Sequence, residues 1–282
     1  MRLLLSIFLA SSSLWGAPQP VVLYQFDEKS GAKIVDQSGA KPAVNLVISD
    51  LKAVKREASG LRVIKSTMIK SERPPARLIS AVKKSGEITL SAWITPANGK
   101  QAGPARIVSL SKDSTHRNFT LGQEGDKYDV RLRTTKNDKN GIPSLPSSGR
   151  SVKLEKTHVV YTRSRDGRAR VFLNGRKSGE KTVSGATSNW DGGYLLALGN
   201  EFTGDRPWLG EYHQVAIYDR ALSESEVRGL FESGHKPRPK ATPAELAKRR
   251  SRELFIAQIE PIFARHCLEC HDASTAEGDL DL

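Results

Sequence analysis

From Val21 onward the apolar positions fall in short runs separated by Gly, Asn, Asp and Pro, with few helical stretches. Val21-Val22-Leu23-Tyr24-Gln25-Phe26 is apolar enough for a strand. In Ile88 to Thr95, the positions Ile88, Leu90, Ala92 and Ile94 alternate with polar or aromatic neighbours. That period of two sends one face of a strand inward and the other outward. Ile107–Leu110, Phe119–Leu121, Tyr128–Arg133, His158–Thr162, Arg170–Leu173, Tyr194–Leu198 and Tyr212–Tyr218 continue the rhythm. Asp166-Gly167 and Asn174-Gly175 supply residues that tolerate positive φ, as tight hairpins require. Residues 136–149, holding Gly141, Pro143, Pro146 and Gly149, predict a long loop on one rim. The expected fold class is all-β, an antiparallel sandwich.

Helical signals gather at the C-terminal end. Ser223-Glu224-Ser225-Glu226 is a capping box that opens a short helix ending near Gly234. Residues 18–234 therefore predict one domain with its closing helix, large enough for a real core. Residues 235–252 read as a stiff basic linker and the start of a second helix, with Pro237 and Pro239 among Lys and Arg. Thr242-Pro243-Ala244-Glu245 is a second capping box with proline at the first helical position, predicting a helix through Glu260 that Pro261 bends or breaks. Phe255, Ile259, Ile262 and His266 share one face of that pattern.

Composition adds a compartment and a charge. Met1-Arg2, the apolar stretch Leu3 to Ala10 and the small residues up to Gly16 have the organisation of a secretory signal, assigned here to residues 1–17. It is too short to span a membrane, and no other apolar run approaches that length. The expectation is an exported protein, periplasmic or at the cell surface. Its net charge is +13, unevenly spread: residues 17–234 carry 35 Lys/Arg against 23 Asp/Glu, residues 235–252 seven against one, and residues 253–282 one against seven. Such an excess is either an ordinary solvated face or a surface for a polyanion. With export expected and no nucleic-acid-binding motif present, an acidic polysaccharide is the favoured polyanion.

The most chemically specific stretch is Cys267-Leu268-Glu269-Cys270-His271, holding the chain's two cysteines. A CxxCH string is a covalent haem c site: two thiols add to the haem vinyl groups, and the following imidazole ligates the iron. On this reading Cys267 and Cys270 attach the haem, His271 is an axial ligand, and a redox partner protein follows. A CxxC disulfide, or half a zinc site completed from elsewhere, are the alternatives. Eleven residues follow His271 without a methionine or histidine for the second axial position. His266, directly before Cys267, is better suited to capping its helix or to solvent.

A family resemblance covers most of the chain. Tyr24-Gln25-Phe26, Val35-Asp36-Gln37-Ser38-Gly39 and Leu90-Ser91-Ala92-Trp93-Ile94 resemble the opening of a LamG-like, concanavalin A-like jelly roll. Arg170-Val171-Phe172-Leu173-Asn174-Gly175, Leu196 to Glu201, Trp208 to Tyr212 and Ile217 to Ser223 resemble its closing strands. The resemblance implies two curved antiparallel sheets. The run from Ile259-Glu260-Pro261-Ile262-Phe263 to Cys267, with Gly278-Asp279-Leu280-Asp281-Leu282 after it, is similar to the start of the planctomycete-type cytochrome c domain that accompanies such sandwiches in exported planctomycete and verrucomicrobial proteins. That likeness implies a haem domain continuing past Leu282.

The sandwich itself carries weaker site signals. Glycoside hydrolases on this fold need two glutamates flanking an aspartate on one strand. The nearest string, Glu124-Gly125-Asp126-Lys127-Tyr128-Asp129, has the wrong residues and reads as a hairpin turn, so no catalytic residue is assigned. Asp27, Asp36 and Asp219 are candidate calcium ligands on a rim, without the spacing of a known calcium loop and equally suited to turns. Trp190, in a Ser/Asn/Gly-rich loop, and nearby Tyr194 are the candidates for stacking on a sugar ring, whereas Trp208 begins a strand and belongs in the core. His158 sits in an apolar strand run and reads as structural. The leading expectation is a carbohydrate-binding or surface-binding module tethered to a haem segment for electron transfer. The alternative is a non-redox binding or adhesion module with an inert CxxC tail.

Overall fold

The computed structural model describes residues 18–234 except Ser59 and Ala102, together with Ser251, residues 254–259 and residues 261–262. The chain divides into two compact units, Met1–His235 and Lys236–Leu282. In the first unit the strands follow in the order β1 (Val22–Tyr24), β2 (Lys33–Ile34), β3 (Leu46–Ile48), β4 (Val54–Glu57), β5 (Gly60–Val63) and β6 (Ile69–Ser71). After helix α1 (Ala76–Ser85) come β7 (Ile88–Pro96), β8 (Ala105–Ser111), β9 (Arg117–Glu124), β10 (Lys127–Leu132), β11 (Leu145–Pro146), β12 (Thr157–Arg163), β13 (Arg168–Leu173), β14 (Arg176–Thr182), β15 (Leu195–Leu198) and β16 (Gly210–Tyr218). Helix α2 (Glu224–Ser233) follows the last strand.

These strands form two antiparallel sheets of eight. One has the order β14-β13-β12-β7-β16-β5-β4 with β1 also on β16, and the other the order β11-β10-β9-β8-β15-β6-β3-β2. The alternating apolar positions face each other between the sheets, as the period of two requires. Ile88, Leu90, Ala92 and Ile94 of β7 meet Leu110 of β8, Phe119 and Leu121 of β9, and Leu196 and Leu198 of β15 in one continuous core. Phe26, Tyr212 and Trp208 form a chain of ring contacts in it, with centroids 5.4 and 4.8 Å apart.

Local signals explain the connections. The β9–β10 hairpin turns at Gly125-Asp126, β12–β13 at Asp166-Gly167 and β13–β14 at Asn174-Gly175, where Asn174 has φ 49° and Gly175 φ 75°. The capping box forms: Ser223 Oγ accepts from the Glu226 amide and the Glu226 carboxylate accepts from the Ser223 amide. Helix α2 lies on the outer face of the first sheet, where Val227 packs with Leu23, Val160, Phe172, Ala216, Tyr218 and Leu222.

Four features depart from the sequence expectation, the first being strands β2 to β6, which lie where no strand run was expected. Helix α1 was not expected; it follows Pro74-Pro75, buries Leu78, Ile79 and Val82, and ends at Gly86 with φ 70°. The rim loop of residues 136–149 contains β11, whose Leu145 pairs with Val130. The outward face of β7 is not solvated: Thr89, Ser91 and Trp93 are all buried. Thr89 Oγ1 donates to the Arg220 carbonyl and Trp93 stacks on Phe231 of α2, so a second small layer covers that face.

In the second unit Phe255–Ile259 form a π-type helical turn. Leu254, Phe255, Ile259 and Ile262 are exposed. The signal segment at 1–17, the linker residues 235–250, the second capping box, His266 and the Cys267–His271 motif lie outside the described residues. No helix among the described residues is long and apolar enough to cross a membrane.

Candidate functional site

The pairing of Ser111 with Leu195 brings the end of β8 beside the start of β15. A concavity of about 370 Å³ opens there, lined by Ser111, Lys112, Asp191, Gly193, Tyr194, Leu195 and Phe202. Its wall is the loop 187–194, which six hydrogen bonds anchor to the rest of the domain, one of them from Thr187 Oγ1 to the Val82 carbonyl at 2.9 Å. Asn118 clamps Asp191 from both sides: its Nδ2 donates to the Asp191 carbonyl and its Oδ1 accepts from the Asp191 amide, each at 2.9 Å. Trp190 Nε1 donates to the Arg133 carbonyl at 2.9 Å, Asn189 Nδ2 to the Thr134 carbonyl at 2.9 Å, and Lys83 Nζ to the Trp190 carbonyl at 2.9 Å.

Trp190 is thus not a rim aromatic. Only 2% of it is exposed, and its ring tilts against Phe119 with centroids 5.8 Å apart. The Ser/Asn/Gly character of the loop suggested exposure, but the indole is the plug that fixes the loop. Tyr194 does line the concavity, with a small exposed edge of 7%. Its phenol pKa is raised, first by burial and then by Asp191, while Arg133 acts in the opposite direction. Trp208 is fully buried.

Behind Ser111 lies a buried ion pair. Arg106 Nε donates to Glu201 Oε2 at 2.8 Å, and neither side chain is exposed. Glu201 Oε1 accepts from Ser111 Oγ at 2.7 Å and from the Phe202 amide at 3.1 Å, which holds Phe202 at the edge of the concavity. On the next loop Asp113 Oδ1 accepts from the Thr115 and His116 amides, both at 2.8 Å. Its carboxyl pKa is lowered: burial acts upward, and hydrogen bonds from the amides and side chains of Thr115 and His116 together outweigh it. No sequence pattern marked Arg106 or Glu201, because each reads as a solvent-side residue of a strand or turn. The site therefore offers an exposed cation in Lys112, an exposed carboxylate in Asp191, a partly open phenol and an aromatic edge. Sugars require this mixture of polar groups that bond hydroxyls and apolar area for a ring face.

The other sequence candidates resolve separately. Asp36 is a structural hub: Oδ1 accepts from the Leu23 and Ser38 amides, and Oδ2 from the Val44 amide and from Arg77 Nη2. Asp27 accepts from Gln37 Nε2. Among the described residues no three His, Cys, Asp or Glu side chains converge on one point. His158 is buried, with Nε2 2.9 Å from Ser91 Oγ and its ring stacked on Trp93 at 4.6 Å. Burial alone pushes its pKa down to about 3. A second buried histidine, His213, is the extra residue of a bulge in β16; its Nε2 lies 2.8 Å from Thr95 Oγ1 and its Nδ1 3.5 Å from Glu211.

Two eight-stranded antiparallel sheets packed face to face, with a polar concavity on one rim, define a lectin-like jelly roll. Residues 74–228, more than half of the chain, match the laminin G family model described as the concanavalin A-like lectin/glucanases superfamily, and the protein belongs to that family. Among solved structures it is similar to the receptor-binding domain of botulinum neurotoxin C/D mosaic serotype, at 14% identity and a TM-score of 0.56, covering 77% of this chain and 51% of that one. It is similar also to the binding domain of botulinum neurotoxin serotype C1, at 13% identity and 0.57, covering 78% and 52%. Trypanosoma rangeli sialidase, solved in complex with sialic acid, gives 18% identity and 0.56, covering 77% and 33%. The chain spans about half of the toxin domains and a third of the sialidase, and at these identities the likeness is one of fold. No curated protein matches the sequence.

Proposed function

We propose that the protein is an exported carbohydrate-binding module whose sugar contacts are made at the concavity around Tyr194. The observation that carries this reading is the meeting of Lys112, Asp191 and Tyr194 on an anchored loop beside Phe202. It is supported by the family, and by neighbours of the same fold whose structures concern sialic acid or, for botulinum neurotoxin type C, entry through two ganglioside molecules. An acidic glycan suits the excess of Lys/Arg over the sandwich.

The test is a glycan array probed with the full chain and with Lys112→Ala, Asp191→Ala and Tyr194→Phe. The first two residues are exposed, so their replacement leaves the core intact. Binding that falls tenfold or more in these variants supports the reading. Binding by the parent that all three variants retain would move the site elsewhere, and no binding to any glycan would remove the carbohydrate reading.

The module is further proposed to be joined to a covalent haem c held by Cys267, Cys270 and His271, serving electron transfer with a redox partner. Two thiols separated by two residues and an adjacent imidazole are the donors this attachment requires. The bound haem would supply one-electron chemistry. Protein made with a haem-ligation system should show a Soret band that survives acid-acetone extraction; no band, or haem lost to the solvent, leaves the inert-tail reading.

A further inference from the structure

Three guanidinium groups gather beneath the outer face of the second sheet. Ser109 of β8 pairs with Thr120 of β9, and Thr120 with Arg131 of β10. Onto this row Arg117 sends its Nη1, which donates to Thr120 Oγ1 at 3.2 Å, while its Nη2 donates to the Ser114 carbonyl. Arg106 and Glu201 complete the group. Arg106 and Arg131 each have a carboxylate in contact, Glu201 at 2.8 Å and Asp129 at 3.3 Å. Arg117 does not: it is fully buried, and among the described residues its head meets only a carbonyl and a hydroxyl.

Two donors in this group have no acceptor among the described residues, Arg117 Nε and Arg106 Nη2. A buried N–H left unmatched is costly, and a buried cation without a counter-ion more so. Burial first, and then the repulsion of Arg106 and Arg131, push the Arg117 pKa down to about 9 against the weaker attraction of Glu201 and Asp113, neither of which pairs with it, so it stays charged at neutral pH. The described residues supply no acceptor, and solution can. A negative one answers both deficits, whereas water answers only the hydrogen bond. The two donor atoms are shut off from the surface, which excludes a glycan and favours a single small ion.

We propose that Arg117, with the free N–H of Arg106, binds a small monovalent inorganic anion of chloride's size. The ion is a structural ligand under the rim concavity: it holds Arg117, the first residue of β9, beside Asn118, whose amide clamps the site loop. An anion bound by the folded state alone raises the melting temperature by a constant step for each tenfold rise in its concentration above Kd. For a domain of this size that step is about 3 to 5 °C.

The experiment melts the full chain in sodium chloride against sodium gluconate at equal ionic strength, followed by near-UV dichroism. The parent and Arg176→Gln, a change at an exposed arginine outside the group, should both show the chloride step; Arg117→Gln should not. A crystal grown in bromide should show an anomalous peak within hydrogen-bond reach of Arg117 Nε. Melting that follows ionic strength alone, or a bromide crystal with only water at that position, would overturn the proposal. If Arg117→Gln does not fold, the bromide crystal decides.

Discussion

Arg106 Nε and Glu201 Oε2 lie 2.8 Å apart with both side chains removed from solvent, one on β8 and the other in the loop after β15. A pair of this kind gives little net stability when whole, because desolvation offsets the attraction, but losing one partner strands a buried charge. Glu201→Gln is therefore expected to destabilise the sandwich by about 3–5 kcal/mol. The double variant Arg106→Met/Glu201→Leu should recover a large part of that. Denaturant titration of the two variants checks this; a single variant within about 0.5 kcal/mol of the parent would mean that the charge is hydrated.

Trp190 and Tyr194, four residues apart on one loop, should separate cleanly by experiment. Trp190→Ala removes a fully packed indole and is expected to cost about 3–5 kcal/mol. Trp190→Phe keeps most of the ring contact with Phe119 and loses only the bond to the Arg133 carbonyl, about 1 kcal/mol. Tyr194→Phe should change stability little and glycan binding more. Equal effects of the Trp190→Phe and Tyr194→Phe changes on binding would place both rings in the same structural role.

The contrast between these two residues shows where the sequence is legible. The strand at the start of the sandwich and those from β7 onward except β11, the three hairpin turns and the α2 capping box follow from patterns within a few residues of each other, and the structure contains them, whereas the short strands β2 to β6 carry too few alternating positions to be read. What sequence periodicity does not carry is which outward faces are covered. Ser91 and Trp93 alternate with core residues as a solvated face would, yet α2 and the β12 neighbour His158 bury them. Arg106 and Ser111 look equally exposed, until Glu201 from a distant loop closes over them. Asp36 was readable as a turn residue but not as the acceptor for the Leu23 amide of β1 and the Val44 amide ahead of β3. Helix α1 carried a readable apolar spacing at Leu78, Ile79 and Val82, obscured by its proline start and its lack of a side-chain cap.

His158 gives the fold an acid-sensitive contribution of definite sign. Its folded pKa is pushed down to about 3 by burial, against about 6.5 in an unfolded chain. Between those values the unfolded chain binds a proton that the folded one refuses. Stability from this group is thus complete above pH 6.5 and falls as the pH drops toward 3, by up to about 1.4 kcal/mol per pH unit. Giving the ring its proton at Nε2, donated to Ser91 Oγ, leaves only a lone pair unmatched at Nδ1. In His158→Gln the slope of stability against pH should flatten between pH 6.5 and 3, whatever the absolute loss. A variant whose acid limb has the same slope as the parent would show that the imidazole is hydrated.

The charge of the sandwich should appear in its ligand preference. Residues 17–234 carry 35 Lys/Arg against 23 acids, and residues 235–252 seven against one. Binding to an acidic polysaccharide through this excess should weaken steeply above physiological salt, where the screening length falls below about 8 Å. A neutral glycan held by hydrogen bonds and the Tyr194 edge should be nearly indifferent to salt. Arrays of acidic and neutral glycans at two ionic strengths distinguish the two. Lys112→Ala adds the local arm: if the acidic ligand sits in the concavity, this one substitution should reduce both the affinity and its salt dependence. Salt-sensitive binding that Lys112→Ala leaves unchanged would assign the polyanion to the general basic surface and free the concavity for an uncharged sugar.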